Sequence, residues 1–150
     1  MALQTAALPW RINNARKPEV MLVTGRRSQR WIVPKGWPMA GKSLADAAAQ
    51  EAFEEAGIDG AVDPRPLGSF RQIKRSWFGS VEVEILVHPL AVERELPEWP
   101  EKRQRSRQWF SLKEAMSRVE SDELRQLIAD LGKRLRQELK AGALRPGPAA

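Results

Sequence analysis

The stretch that decides the fold reads Gly36-Trp-Pro-Met-Ala-Gly-Lys-Ser-Leu-Ala-Asp-Ala-Ala-Ala-Gln-Glu-Ala-Phe-Glu-Glu-Ala-Gly-Ile58. Gly36 and Pro38 break regular structure at its start. Ser43-Leu-Ala-Asp46 is then a capping-type start: the hydroxyl is placed to accept from the amide three residues on, and an acid stands in the first turn. An alanine-rich helix follows to about Ala56, and Gly57 suits the left-handed residue just past its end. Leu44, Ala47, Ala48 and Ala52 give this helix a packing face of mostly small residues. Glu51, Glu54 and Glu55 fall on one face of it, because the helix turns every 3.6 residues. Three converging carboxylates repel one another unless a cation lies between them, and a hard divalent ion satisfies oxygen ligands of this kind. A glutamate-rich helix taken alone is more often a solvated face, so its surroundings must decide.

Working outward, Glu19 to Thr24 is a short apolar run ended by Gly25 and reads as a buried strand, with Trp10 to Ile12 a further candidate. Trp31 to Val33 precedes Pro34, which favours extended geometry at Val33, so a strand enters the loop at Gly36. From Leu67 to Leu90 the pattern turns to strands, clearest where Val81, Val83, Ile85 and Val87 alternate with Glu82, Glu84, Leu86 and His88. Gln108 to Phe110 is a last short strand, and Ser111-Leu-Lys-Glu114 is a second capping box opening a helix. A longer helix begins near Ser121 with Leu124, Leu127, Ile128, Leu131 and Leu135 on one stripe. This order implies helices packed on a mixed sheet, in one domain over residues 1–140. Residues 141–150, rich in glycine and proline, are expected to form a disordered tail.

The 150-residue chain is 42% apolar and 29% charged, ordinary for a globular domain, and lacks the run of about 20 apolar residues that spans a bilayer. Met1 to Thr5 carries no secretory pattern, so a cytoplasmic protein is expected. The absence of cysteine excludes thiolate nucleophiles, zinc fingers and iron–sulfur ligation, and His88 is the sole histidine. A metal would therefore be held mainly by oxygen, which favours Mg2+, with Mn2+ as the other candidate. The net charge of +6 suits a polyanionic partner, and equally suits plain solubility.

Gly36 to Ile58 closely resembles the Nudix box, which is Gly, five residues, Glu, seven residues, Arg-Glu-apolar, one residue, Glu-Glu, one residue, Gly-apolar. Gly36, Glu51, Ala52, Glu54, Glu55, Gly57 and Ile58 all fall in register. Two positions depart: Lys42 stands at the pattern's first Glu, and Gln50 at its Arg. Beyond the box, Arg26 to Gly36, Glu54 to Gly57, Trp99-Pro-Glu101, Arg107-Gln-Trp-Phe110 and Glu114-Ala115 are similar to the diphosphoinositol polyphosphate phosphohydrolase and diadenosine polyphosphate hydrolase branch. This likeness covers roughly residues 6 to 130.

The resemblance implies an α/β class fold, an α/β/α sandwich with a mixed sheet, and metal-dependent hydrolysis of a phosphoanhydride. It implies Glu51, Glu54, Glu55 and the Gly36 carbonyl as metal ligands, with Glu51 and Glu54 catalytic and Glu51 the candidate base. It implies a small-molecule polyphosphate substrate, either nucleoside-diphosphate-linked or of the diphosphoinositol polyphosphate type. Arg26, Arg27, Arg30 and Lys35 precede or lie in the box loop and are candidates to grip phosphates, as guanidinium pairs bidentately with phosphate oxygens. Arg71, with Lys74 and Arg75 beside Trp77 and Phe78, is a further substrate candidate, although snorkelling basic side chains around a half-buried aromatic hairpin is the favoured reading there. His88 reads as structural. Trp10, Trp31, Trp37 and Trp109 read as packing residues, with Trp37 the exception because it sits in the loop. The competing function is a non-catalytic Nudix-like module holding a nucleotide or RNA. A general nucleic-acid binder is disfavoured because no recognised reading module appears.

Overall fold

In the computed structural model, which describes residues 1–144, the apolar run at Glu19 lies within β2 (Pro18–Thr24). Val20, Met21, Leu22 and Val23 are all buried. Burial on both faces is what a continuous apolar run without alternation should produce. Its neighbour β1 (Ala2–Ile12) reaches much further back than Trp10. Gln4, Thr5, Ala6 and Ala7 are buried small or polar residues with no strand-like alternation, so their pattern concealed the strand.

The remaining elements are β3 (Trp31–Ile32), β4 (Lys35–Gly36), α1 (Leu44–Ala56), β5 (Ile58–Val62), β6 (Gly68–Ser76), β7 (Gly79–Glu95), β8 (Arg107–Ser111), α2 (Leu112–Arg118) and α3 (Asp122–Lys140). The strands form one sheet with the path β3-β2-β1-β7-β5, while β4 pairs with β1, β6 with β7 and β8 with β2. Strands β1 and β7 run parallel from Ala2↔Val83 to Trp10↔Ala91, and the other pairings are antiparallel, which makes the sheet mixed.

The two faces separate by single-residue alternation. Ala6, Leu8, Val20 and Leu22 face Leu124, Ile128, Leu131 and Leu135 of α3. Ala7, Met21 and Val23 face Ala48, Ala52 and Ala56 of α1. Helices thus cover both faces of a mixed sheet, giving the expected α/β/α layering. The tight approach of the sheet's far edge is set by Gly60, where a Cβ would strike the Ala91 carbonyl.

The β6–β7 hairpin corrects one expectation. Trp77 and Phe78 are fully exposed, not half-buried, because they form the apex of a hairpin exposed from Arg75 to Glu82. The apolar side chains of Ile73, Trp77, Phe78 and Val81 are instead left open on this hairpin. Of the expected tail, Leu144 packs against the larger core, and residues 145–150 lie outside the described residues.

Candidate active site

Helix α1 begins where the sequence places it, with Ser43 Oγ accepting from the Asp46 amide at 3.1 Å. It ends at Gly57, with φ 64° and ψ 38°. A side chain at Gly57 would also collide with Trp99 and Arg107, which close this end of the helix. Trp99 Nε1 donates to the Glu55 carbonyl at 3.2 Å. Arg107 donates to the carbonyls of Ala56 at 2.9 Å and Gly57 at 3.2 Å, and stacks 3.9 Å from the Trp99 ring. A cation on the terminal carbonyls satisfies groups the helix cannot and complements its dipole.

Opposite the helix, β4 pairs with Thr5 and Ala6 of β1, fixing the loop backbone at Gly36. The Glu51 carboxyl lies directly on this glycine. A Cβ there would fall within 2.6 Å of either carboxyl oxygen, so any other residue would push the Glu51 carboxyl from its place. Glu55 is buried, at 4% exposure, and its carboxyl neighbours that of Glu51. Burial first, and then the Glu51 carboxyl, push Glu55 up to about 8, while the nearby Arg105 opposes the rise. Burial likewise raises Glu51, helped by the negative charges of Glu54 and Glu101. Two neighbouring carboxyls in low-dielectric surroundings resist ionising together.

Glu54 is turned aside: its Oε1 accepts from Gln50 Nε2 at 3.1 Å. Among the described residues no three acidic or histidine side chains stand close enough, as they are, to enclose a metal ion. The structure therefore brings Glu51, Glu55 and Gly36 together, with Glu54 within electrostatic reach. The donor set nonetheless fits a hard divalent cation. It is all oxygen, burial raises both inner carboxyls even with Arg105 opposing the rise, and the glycine leaves the loop backbone open to the same point.

Arg105 escaped the sequence reading, and Glu101 entered it only through the resemblance. Arg105 is the cation nearest the buried carboxyl, with Nη2 3.8 Å from Glu55 Oε1. It also pairs with Glu101 at 2.8 Å and donates to the Thr24 carbonyl at 3.1 Å. Glu101 in turn donates its amide to the Glu54 carbonyl at 3.0 Å. Only the Trp99-Pro-Glu101 resemblance pointed at this segment, and nothing marked Arg105 among the surrounding basic residues.

A cleft of about 220 Å³ opens beside Glu55, lined among others by Arg26, Lys35, Gln72 and Arg105. Burial, and the charge of Lys74, lower Lys35 to about 8. Arg30 and Arg71 instead border a neighbouring cleft of about 470 Å³ with Trp31 and Phe70. There Arg30 pairs with Glu120 at 2.9 Å and Arg71 with Glu82 at 3.6 Å. Arg27 is exposed in the turn after β2 and lines neither cleft. His88 is buried, with Nδ1 2.9 Å from the Asp63 carbonyl, and ties β7 to the segment before β6.

The class that this sandwich and carboxylate helix define is confirmed by comparison. The NUDIX domain family profile matches residues 3–131, and the chain belongs to that family. It is 36% identical over 106 residues to Nudix hydrolase 12, mitochondrial, of Arabidopsis thaliana, covering 67% of this chain and 51% of that one. It is 35% identical over 104 residues to diphosphoinositol polyphosphate phosphohydrolase 3-beta of Bos taurus, covering 67% and 60%. The chain thus spans about half the length of the plant relatives it matches.

Among solved structures, C. elegans Ap4A hydrolase in a binary complex superposes with a TM-score of 0.64 at 19% identity, over 95% of this chain and 99% of that one. The NUDIX domain of Shewanella oneidensis NrtR, cocrystallised with ADP ribose, gives 0.68 at 15% identity, over 90% and 88%. These two likenesses establish the fold. Nudix hydrolases generally need a divalent metal ion. Among the described residues no helix is long and apolar enough to cross a membrane.

Proposed function

We propose that this chain is a Mg2+- or Mn2+-dependent pyrophosphohydrolase, acting through one domain on a phosphoanhydride bond. Its substrate is a nucleoside-diphosphate-linked or diphosphoinositol polyphosphate-type small molecule. The observation that carries this reading is the buried Glu51–Glu55 pair lying on Gly36 beside a cleft edged by Arg26, Lys35 and Arg105. Acid side chains that need a cation thus adjoin basic side chains that need an anion. Glu51 and Glu55, with Glu54 and the Gly36 backbone, would hold the metal ion. When bound, it supplies charge neutralisation on the phosphate oxygens and a more acidic attacking water.

The chain's own residues supply the rest. Arg26 and Lys35 bind and orient the polyphosphate, with Arg27, Arg30 and Arg71 as outer contacts. Glu51 takes the proton of the attacking water, and Glu54 is the second acid–base candidate. Gln50 anchors Glu54 at 3.1 Å, a carboxylate-orienting role like the one the family's arginine fills. Arg105 holds the Glu55 carboxyl in place while its own fork is fixed by Glu101 and Thr24. Proton transfer to a positioned base and alignment of the phosphate chain are then the protein's share of the catalysis.

The test is a panel of diadenosine polyphosphates, ADP-ribose and diphosphoinositol polyphosphates assayed with magnesium, with manganese and with chelator, the products being identified. Cleavage at a phosphoanhydride that chelator abolishes is the expected result. Tight nucleotide binding with no turnover of any panel member would replace this reading with that of a binding module. Lys42 and Gln50 would then mark lost catalysis.

A further inference from the structure

We propose that Lys74 on β6 is a substrate-positioning residue that closes with Lys35 on one phosphate at the mouth of the cleft. The inference deepens the pyrophosphohydrolase reading and rests on it for the identity of the ligand. Strand β6 pairs with β7 in a register that sets Gln72 opposite Val83 and Lys74 opposite Val81. Gln72 and Lys74 therefore share one face, and Gln72 places that face on the cleft beside Glu55. Arg71, Ile73 and Arg75 project to the other face. Of the three basic residues that the sequence groups here, the pleat puts only Lys74 on the face of Gln72.

Its ammonium meets two partners there. It stands 5.3 Å from the ring centroid of Trp37 in the box loop, two residues from Lys35, and its charge reaches the Lys35 ammonium. The ring holds a cation that would otherwise swing into solvent. Two neighbouring half-buried ammonium groups repel, and an anion between them converts that repulsion into two charge-assisted contacts. Arg26 and Arg105 line the same cleft, so the place between the two lysines is suited to a phosphate adjoining the carboxylate site. Lysine serves here as a compact point charge, tolerant of the angle at which the phosphate enters.

The experiment compares the natural chain with Lys74→Ala, Lys74→Arg and Arg75→Ala, the last on the opposite face. Binding of inorganic pyrophosphate in the presence of magnesium is measured by calorimetry, and KM and kcat are measured on the best substrate of the panel. Loss of one charge-assisted contact should weaken pyrophosphate about tenfold in Lys74→Ala. KM should rise by a similar factor with kcat little changed, and Lys74→Arg should recover most of the loss. Pyrophosphate affinity in Lys74→Ala equal to the natural chain's overturns the assignment. So does an equal fall in Lys74→Ala and Arg75→Ala, since that would reflect the general field of a basic hairpin. Failure of the natural chain to bind pyrophosphate overturns it too. A tenfold loss in pyrophosphate binding without turnover of any substrate would sustain the phosphate clamp and remove the hydrolase reading alone.

Discussion

Helix α3 meets the sheet through Leu124, Ile128, Leu131 and Leu135, whereas α1 meets the opposite face through Ala47, Ala48, Ala52 and Ala56. The leucine stripe buries a large apolar area and leaves the other side of α3 to charged residues. The alanine face buries little, but lets α1 sit close against the strands, and the same helix then buries Glu55. Burying a carboxyl costs stability, so the helix that bears the chemistry relies on the core made by the helix that does not. Stability and activity should therefore separate between the two helices.

The largest expected effect is on turnover. Glu51→Gln or Glu55→Gln should lower kcat by about 10²–10⁴-fold, the contribution typical of a positioned acid–base group, because the amide keeps the shape and loses the charge. Thermal unfolding should show both variants folded. Activity close to that of the natural chain in either variant would remove that residue from the metal site. On α3, Leu131→Ala should cost about 2–5 kcal/mol in denaturant unfolding while leaving kcat per folded molecule unchanged, since Leu131 is wholly buried in the larger core. A loss of kcat in the folded variant would mean that the two layers are coupled through the sheet.

A third test uses the proton that the carboxyl pair retains. Glu55 is raised from 4.5 to about 8, so between those values the folded chain binds a proton that the unfolded chain has lost. Stability then falls as pH rises through that window and levels off above it. Melting in chelator should therefore drop by several degrees from about pH 5 to about pH 8. Added Mg2+, which takes the ionised form of the pair, should recover the loss increasingly toward high pH. Glu55→Gln should flatten the chelator profile. A natural chain whose melting in chelator is the same at both pH values would place the pair in a wetter setting than this structure gives it.

The box made the centre of the molecule legible because its features are local. The caps at Ser43 and Gly57, the alanine face and the spacing of Glu51, Glu54 and Glu55 lie in one segment governed by helix geometry. The stripe on α3 was legible for the same reason. Strand β1 was largely hidden because a strand buried on both faces by alanine, threonine and glutamine shows neither alternation nor an apolar run. Strand β5 was hidden because Asp59 and Gly60 mimic a turn, and Gly60 is needed only for its approach to Ala91. Arg105 stands 50 residues beyond Glu55 and sits in the basic run Lys102 to Arg107, where composition reads as solvated surface. Its burial depends on how the segment after β7 folds back on α1, which is a property of the tertiary structure.

The smallest effect tests the outer edge of α1, where the two departures from the family pattern lie. Lys42 and Gln50 border one shallow depression with Asp46, Phe53 and Asp59. Gln50 already anchors Glu54, and for that reason Lys42→Glu alone should not raise activity: the new carboxylate would find an amide where the pattern supplies a cation. Combined with Gln50→Arg it gains a guanidinium partner. Because the depression is open to solvent, their coupling should stay below about 1 kcal/mol. A double-mutant cycle on kcat and on melting temperature measures it. Strictly additive effects would mean that Lys42 and Gln50 arose independently and that Gln50 serves Glu54 without regard to position 42.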